Sequence, residues 1–427
     1  MNDFQEKLES LSPRKRELLN EYLAKRGNPS SASPPAVPER APAIAETKAA
    51  KKEAVAVSGG IAADKDLKFS IFFFSDDSSL RMDNKYRFLL ELAQLSDEYG
   101  FEAIWTPERH FHRFGGLYPN PSVLAAAIAA KTERIQIRAG SILLPFHHPI
   151  RVAEDWSIID NLSRGRAGVA FASGWHPKDF VFAPDSYHSR KDIMFERIEM
   201  VKKLWEGKEL RLKAGLDQSF EPQIYPLPIQ ESLPIWVTSS KSQSTWKRAG
   251  AIGANVLTAL LEMDVETLKE NIAVYKAERE KHGHGAEGGK ITLMLHTYVG
   301  EQIDEVRKTV RGPLIQYLKQ HMELFDNDTL ASELNLDPQK ITMMDREALA
   351  AFGFERYFSN SALLGTKETC RQKTDALAAI GVTEIACLID FGVSEEDVKR
   401  SLGLLDELRQ SYAEKEQVPS YAGSESV

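Results

Sequence analysis

From Lys68 onward the chain alternates short apolar runs with longer stretches of helical periodicity. Phe69–Phe74 is dominated by phenylalanine and predicts a strand; Asn84–Tyr99 follows as a helix ended by Gly100. The pairing recurs, with strands expected at 102–106, 135–144, 167–172, 234–238, 254–257, 291–299 and 383–390. Helices are expected at 121–131, 150–162, 191–205, 242–250, 265–282, 304–323, 345–357, 366–380 and 394–412. Eight strands, each followed by helical material, predict an α/β fold, a (β/α)8 TIM barrel. An open doubly wound sheet competes, but no Gly-x-Gly-x-x-Gly follows the first strand and the alternation persists to the end. Residues 208–232 contain prolines and short extended pieces and read as an excursion from the barrel.

Ahead of the barrel the pattern changes. Residues 1–27 read as a helix, with Ser12-Pro13 as a start signal and Leu11, Leu18, Leu19, Tyr22 and Leu23 as an apolar stripe. Residues 28–65, rich in Pro, Ala, Ser and Lys, lack apolar mass and read as a disordered linker. The expected division is a helical docking element at 1–27, the linker at 28–65, the barrel at 66–415 and a disordered tail at 416–427. Isolated short helices are marginal in water, so the stripe is expected to bury itself on a partner. A helix that folds back on the barrel or mediates dimerisation is the alternative.

Composition narrows the classes. A net charge of −8 offers no basic field for nucleic acid. Two cysteines, Cys370 and Cys387, argue against a disulfide scaffold and a cysteine-built metal site, and no metal is expected. The N-terminus lacks a signal-peptide core, and the apolar run at 124–130 is too short to span a bilayer. A soluble cytoplasmic protein, without membrane or nucleic-acid partners, is the expectation.

Chemistry-bearing residues gather where strands should end. Glu108, Arg109 and His110 follow the second strand; they read either as an acid/base cluster or as a loop ion-pair network. Gly140-Ser141 closes the third strand, where small residues admit a flat ligand or mark a bulge. In His147-His148-Pro149 either histidine is a site residue or a helix cap. Asp155, Asp160 and Arg166 read as turn chemistry, with an Asp–Arg bridge expected. Ser173-Gly174-Trp175-His176 ends the fourth strand, and Trp175 packs on a flat ring or fills the core. Thr238–Thr245 offers hydroxyls at a helix start, which suits a phosphate or a plain cap.

Trp105–Pro121, Gly140–Phe180, Pro234–Leu261 and Gly353–Gly392 resemble the bacterial luciferase-like flavin monooxygenases, over about Leu67–Arg409. The phrases Leu143–Glu154, Phe171–Pro177 and Glu384–Gly392 resemble the branch found in secondary metabolism, alone or within polyketide and nonribosomal peptide assembly lines. The resemblance implies reduced FMN at the strand ends, a cis peptide at Gly140-Ser141, the phosphate at Ser239, Ser240 and Thr245, and Ser173 and Gly174 beside the flavin. It implies a two-component monooxygenase, fed by a separate flavin reductase, in which oxygen adds at flavin C4a to give a (hydro)peroxide. His110 is then the candidate acid/base, Arg109 the anion stabiliser and Glu108 the orienting group. Phe111, His148, Trp175 and His176 are candidate substrate-pocket residues.

Luciferases carry His-His after the glutamate and a reactive Cys at the end of strand four; this chain has Arg109-His110 and Ala172, so light emission is not implied. Lys241 stands where the phosphate loop often has glycine. The expected partners are the reductase, a second copy of the chain and an acyl or peptidyl carrier protein or synthase module reached through residues 1–27, whose Leu11–Leu19 resembles nonribosomal peptide synthetase linker helices. The alternatives are a deazaflavin (F420)-dependent oxidoreductase on the same barrel and a non-catalytic flavin-binding assembly-line protein.

Overall fold

The computed structural model describes residues 67–75, 85–261, 263–323, 350–351 and 353–413. The docking element, the linker and the tail expected at 1–27, 28–65 and 416–427 lie outside them, as does most of the helix expected at 345–357.

Eight parallel strands close on themselves: β1 (Lys68–Phe72), β2 (Ala103–Thr106), β3 (Gln136–Leu143), β4 (Ala167–Ala172), β5 (Ile235–Thr238), β6 (Asn255–Ala259), β7 (Ile291–Val299) and β8 (Glu384–Leu388). Each pairs with its chain neighbours, and β1 joins β8 with Lys68 opposite Glu384. The intervening helices are α1 (Arg87–Tyr99), α2 (Pro121–Ala129), α3 (Pro149–Ser163), α4 (Arg190–Trp205), α5 (Gln243–Ala251), α6 (Val265–Lys281) and α7 (Ile303–Glu323). α8 (Lys367–Ala379) precedes β8 and α9 (Glu395–Ala413) follows it. The excursion after α4 contains a small antiparallel hairpin, Leu212–Lys213 with Ser219–Phe220. A short strand, Leu363–Gly365, adds to the end of β7.

Strand periodicity explains the two cores. Phe69, Ile71, Ile104, Ile137, Val169, Val237 and Val256 point outward and pack under the helices. The alternate residues Phe72, Ala103, Trp105, Ala170, Trp236, Leu257 and Leu388 fill the barrel interior. That interior is polar near its floor. Arg138 donates to Glu384 at 2.8 Å and to Glu102 at 3.0 Å, sandwiched between Trp105 and Trp236. Ser70 and the Trp105 indole N–H also donate to Glu384.

The turn residues Asp160 and Arg166 are structural, but not through the Asp–Arg bridge the sequence suggested. Asp160 accepts from the backbone of Ile229 and Gln230 and from the Gln230 amide, tying down the excursion. Arg166 instead donates to the carbonyls of Ile135, Thr132 and Ser163. Asp155 pairs with Arg151 within α3.

Candidate active site

The C-terminal ends of the strands surround a cavity of about 420 Å³, within the roughly 300–1,000 Å³ of small-molecule sites. Its walls differ in chemistry. On one side Ser141 at the end of β3 and Thr238 at the end of β5 are hydrogen-bonded through their hydroxyls, and Ser239, Ser240 and Thr258 continue that surface. Ser242 occupies the N-cap position of α5 beside them without a side-chain capping bond, and the first N–H groups of a helix have no partner within it. The buried Thr258 hydroxyl has no hydrogen-bond partner. Thr245 is buried one turn into α5, off the lining, and donates to Ser242 Oγ at 3.2 Å.

Gly140-Ser141 is a cis peptide, with a register shift in the β3–β4 pairing at the same point. A Cβ on Gly140 would lie 2.8 Å from the Phe72 ring and 3.1 Å from Trp105, so the barrel interior itself demands glycine. Gly174 takes a left-handed φ of 74°, and Ser173, Gly174 and the half-exposed Trp175 line the opening.

Glu108 organises the adjoining end of β2. One oxygen meets His110 Nε2 at 2.8 Å and His147 Nε2 at 2.7 Å; the other accepts the Leu143 N–H at 2.7 Å. Burial opposes its ionisation, but those hydrogen bonds prevail and hold the carboxyl below its ordinary range. Burial likewise opposes charge on His147, yet the bond to Glu108 leaves its pKa raised. The carboxylate therefore clamps the end of β2 to the end of β3 and the turn that follows, and two of its partners, His110 and His147, stand off the cavity lining.

Arg109 is the cation on the lining. It is buried, forms a short ion pair with Asp179 and stands 5.9 Å from the Trp175 ring. Its Nε and Asp179 Oδ1 have no hydrogen-bond partner; His176 Nδ1 lies 3.5 Å from Asp179 without making one. His110 is not on the lining. Its ring sits behind Glu108 in a cage of Phe111, Phe146 and Phe182, closest to Phe182 at 4.7 Å between centroids. Phe111 is two-thirds exposed and stacks on Phe182 outside the cavity. His148 caps α3, accepting the Ile150 N–H at 3.3 Å, while His147 serves Glu108. His176 also stands off the lining.

The structure thus brings Glu108, Arg109, Gly140, Ser141, Ser173, Gly174, Trp175, Ser239 and Ser240 to one cavity. Sequence reasoning missed Asp179, Thr258, Tyr317 and His321. Tyr317 and His321 carried a readable signal, four residues apart on one helical face; Asp179 carried none. Near the β1 end Asp390 accepts from Phe74 N, Ser75 N and the Tyr118 hydroxyl, and burial raises its pKa. Among the described residues, no cluster of three or more His, Cys, Asp or Glu could hold a metal ion, and no helix is long and apolar enough to cross a membrane.

The donors fit a flavin: apolar and small residues for a flat ring system, hydroxyls and helix-start N–H groups for a phosphate. Comparison with known proteins agrees. The oxygenase component of a flavin-dependent trigonelline monooxygenase from Acinetobacter baylyi is 26% identical over 360 residues, covering 82% of this chain and 96% of that protein. Monooxygenase RslO1 from Streptomyces bottropensis superposes with a TM-score of 0.66 at 24% identity, over 81% of this chain and all of that one. The oxygenating constituent of a Pseudomonas putida 3,6-diketocamphane monooxygenase, a type II Baeyer–Villiger enzyme in complex with FMN, gives 0.61 at 18% identity over 81% and 98%. These two structural likenesses speak to the fold. The profile of the luciferase-like monooxygenases matches residues 67–384, and this chain belongs to that family as a flavin-dependent monooxygenase.

Proposed function

We propose that this chain is the oxygenase of a two-component system. It takes reduced FMN from a separate flavin reductase and oxygenates a secondary-metabolite intermediate held on a carrier protein. The observation that carries the cofactor reading is the wall of hydroxyls, Ser141, Thr238, Ser239, Ser240 and Thr258, running to the start of α5. Ser239 and Ser240 would hold the phosphate, with Thr245 behind them shaping Ser242. Bound reduced FMN would supply the electrons and the carbon at which oxygen is activated.

The chain's own residues would do the rest. Gly140, Ser141, Ser173 and Gly174 bring backbone close to the flat ring. Trp175 covers the opening and limits water. Arg109, fixed by Asp179, supplies a preorganised positive group for developing negative charge. Glu108 positions this loop by holding Leu143 N, His110 and His147. His110 acts through Glu108, so it is a positioning residue whose loss should alter coupling of oxygen use to product more than flavin affinity.

The test is calorimetric titration of FMN against riboflavin, which lacks the phosphate. Native protein should prefer FMN, and Ser240→Ala/Thr245→Ala should lower FMN affinity about tenfold while leaving riboflavin binding unchanged. Equal affinity for both ligands in native protein would overturn the phosphate assignment. Oxygen consumption with reduced FMN separates oxygenation from hydride transfer by a deazaflavin. For the carrier, deletion of residues 1–60 should spare turnover of a free substrate mimic and weaken turnover of the carrier-bound form; equal turnover of both would remove the docking role.

A further inference from the structure

Among the described residues four arginines are buried: Arg109, Arg138, Arg166 and Arg279. Three of them spend their donors within the protein. Arg138 reaches Glu384 and Glu102, Arg166 the carbonyls of Ser163, Ile135 and Thr132, and Arg279 those of Gly253, Gly285 and His284. Arg109 does not. Its Nη1 donates to Asp179 Oδ2, but its Nε, Asp179 Oδ1 and the neighbouring His176 Nδ1 are all buried without hydrogen-bond partners. Of the four, Arg109 is also the one that lines the cavity, whose described lining holds no lysine and no second arginine.

We propose that Arg109 anchors the substrate, and that the substrate carries an ionised oxygen, as a carboxylate, phenolate or enolate does. That oxygen takes the guanidinium donors that Asp179 leaves unused. The assignment rests on reading this cavity as the place of oxygenation, and not on where the flavin phosphate lies.

Unpaired buried donors are costly, so they mark the place where a ligand completes a network. Charge then selects the ligand. A guanidinium presents several N–H donors in a planar fork that matches a carboxylate, and it stays charged when buried. The Arg109 charge is felt beyond Asp179: after burial, it is what holds down the His321 pKa, to about 4. Glu108, the carboxylate on the same lining, has its charge offset by two histidines and the Leu143 N–H. An anion entering here therefore exchanges water for charge-assisted hydrogen bonds, which are stronger than those a neutral group would make. Trp175, its ring 5.9 Å from the guanidinium, and Phe74 and Phe114 give the rest of the molecule an apolar seat.

Equilibrium dialysis of the full chain at neutral pH, with and without FMN, against 2-naphthoate and its neutral isostere 2-naphthamide tests this. The anion should bind at least about tenfold more tightly. Asp179→Asn keeps an acceptor oxygen beside Arg109 but removes the competing charge. It should tighten naphthoate binding about threefold or more and leave naphthamide unchanged, a gain that a merely structural pair would not give. Arg109→Met/Asp179→Leu removes both charges together, so no buried charge is left unpaired, and should abolish the preference for the anion. Equal or tighter binding of 2-naphthamide to native protein, or no binding of 2-naphthoate, overturns the assignment and needs no variant. Weaker naphthoate binding in folded Asp179→Asn, or an anion preference that survives the double variant, does the same. Displacement of naphthoate by FMN would give Arg109 to the cofactor and also overturn it. If native protein prefers the anion but does not bind FMN, the anion site stands and the flavin reading fails.

Discussion

Two buried ion pairs, one at each end of the barrel, divide its tasks. At the floor, Arg138 and Glu384 lie in a saturated network: Glu384 also accepts from Ser70 and Trp105, and Arg138 reaches Glu102 between two tryptophans. At the top, Arg109 and Asp179 form an equally buried pair whose Arg109 Nε and Asp179 Oδ1 go without hydrogen bonds. A saturated buried pair holds strands together; an unsaturated one beside a cavity retains capacity for a ligand. On the proposed roles, the same residue types would serve stability below and chemistry above, as the two faces of a barrel generally do.

The contrast breaks most sharply at the floor. Glu384→Ala leaves Arg138 buried without its main partner and should cost ~3–5 kcal/mol in urea unfolding. A loss under about 1 kcal/mol would remove the structural reading of that network. At the top, Asp179→Ala should cost less, about 1–3 kcal/mol, because the cavity lets water reach Arg109. Its turnover should nevertheless fall about 10²-fold, the scale of losing a preorganised electrostatic group, as measured by product formed per flavin oxidised. Equal losses of stability in the two variants, with turnover intact in the second, would erase the distinction.

Acid sharpens it further. The top holds His296 and His321, neutral in the fold down to about pH 3 and about pH 4, chiefly because burial disfavours their charged forms. The unfolded chain protonates both near pH 6.5. Between about pH 4 and 6.5 the unfolded state binds more protons, so stability falls as pH falls. Each histidine adds up to about 1.4 kcal/mol per pH unit to that slope. Urea unfolding of His321→Leu across this range should show a shallower slope than native protein; an unchanged slope would mean His321 is charged in the fold. The smallest effect is expected at the exposed rim, where Phe111→Ala should change stability by no more than about 0.5 kcal/mol in the same assay.

Much of this was legible in the chain. Alternating apolar runs and helical stretches placed all eight barrel strands, because strands buried on both faces must be almost wholly apolar. Strand ends were recognisable from Gly, Ser, Trp and charged residues following such runs, and nine of the expected site residues do line one cavity. The roles within the cluster were not legible. Glu108 and His110 stand two residues apart, but only the fold turns the histidine into an aromatic cage and makes the carboxylate a clamp shared with His147, 39 positions beyond Glu108.

The sequence by itself determined the barrel, the order and approximate places of its strands and the crowding of polar groups at one end, since all three follow from local periodicity and composition. Only the tertiary structure decided which of those groups face the cavity. It placed Asp179 against Arg109 across 70 positions, brought Tyr317 and His321 of α7 to the same cavity as the strand-end hydroxyls, and moved Phe111 and His148 to the outside. The reason is physical: closing a barrel brings together strand ends far apart in the chain, and pairings between them leave no local pattern to read.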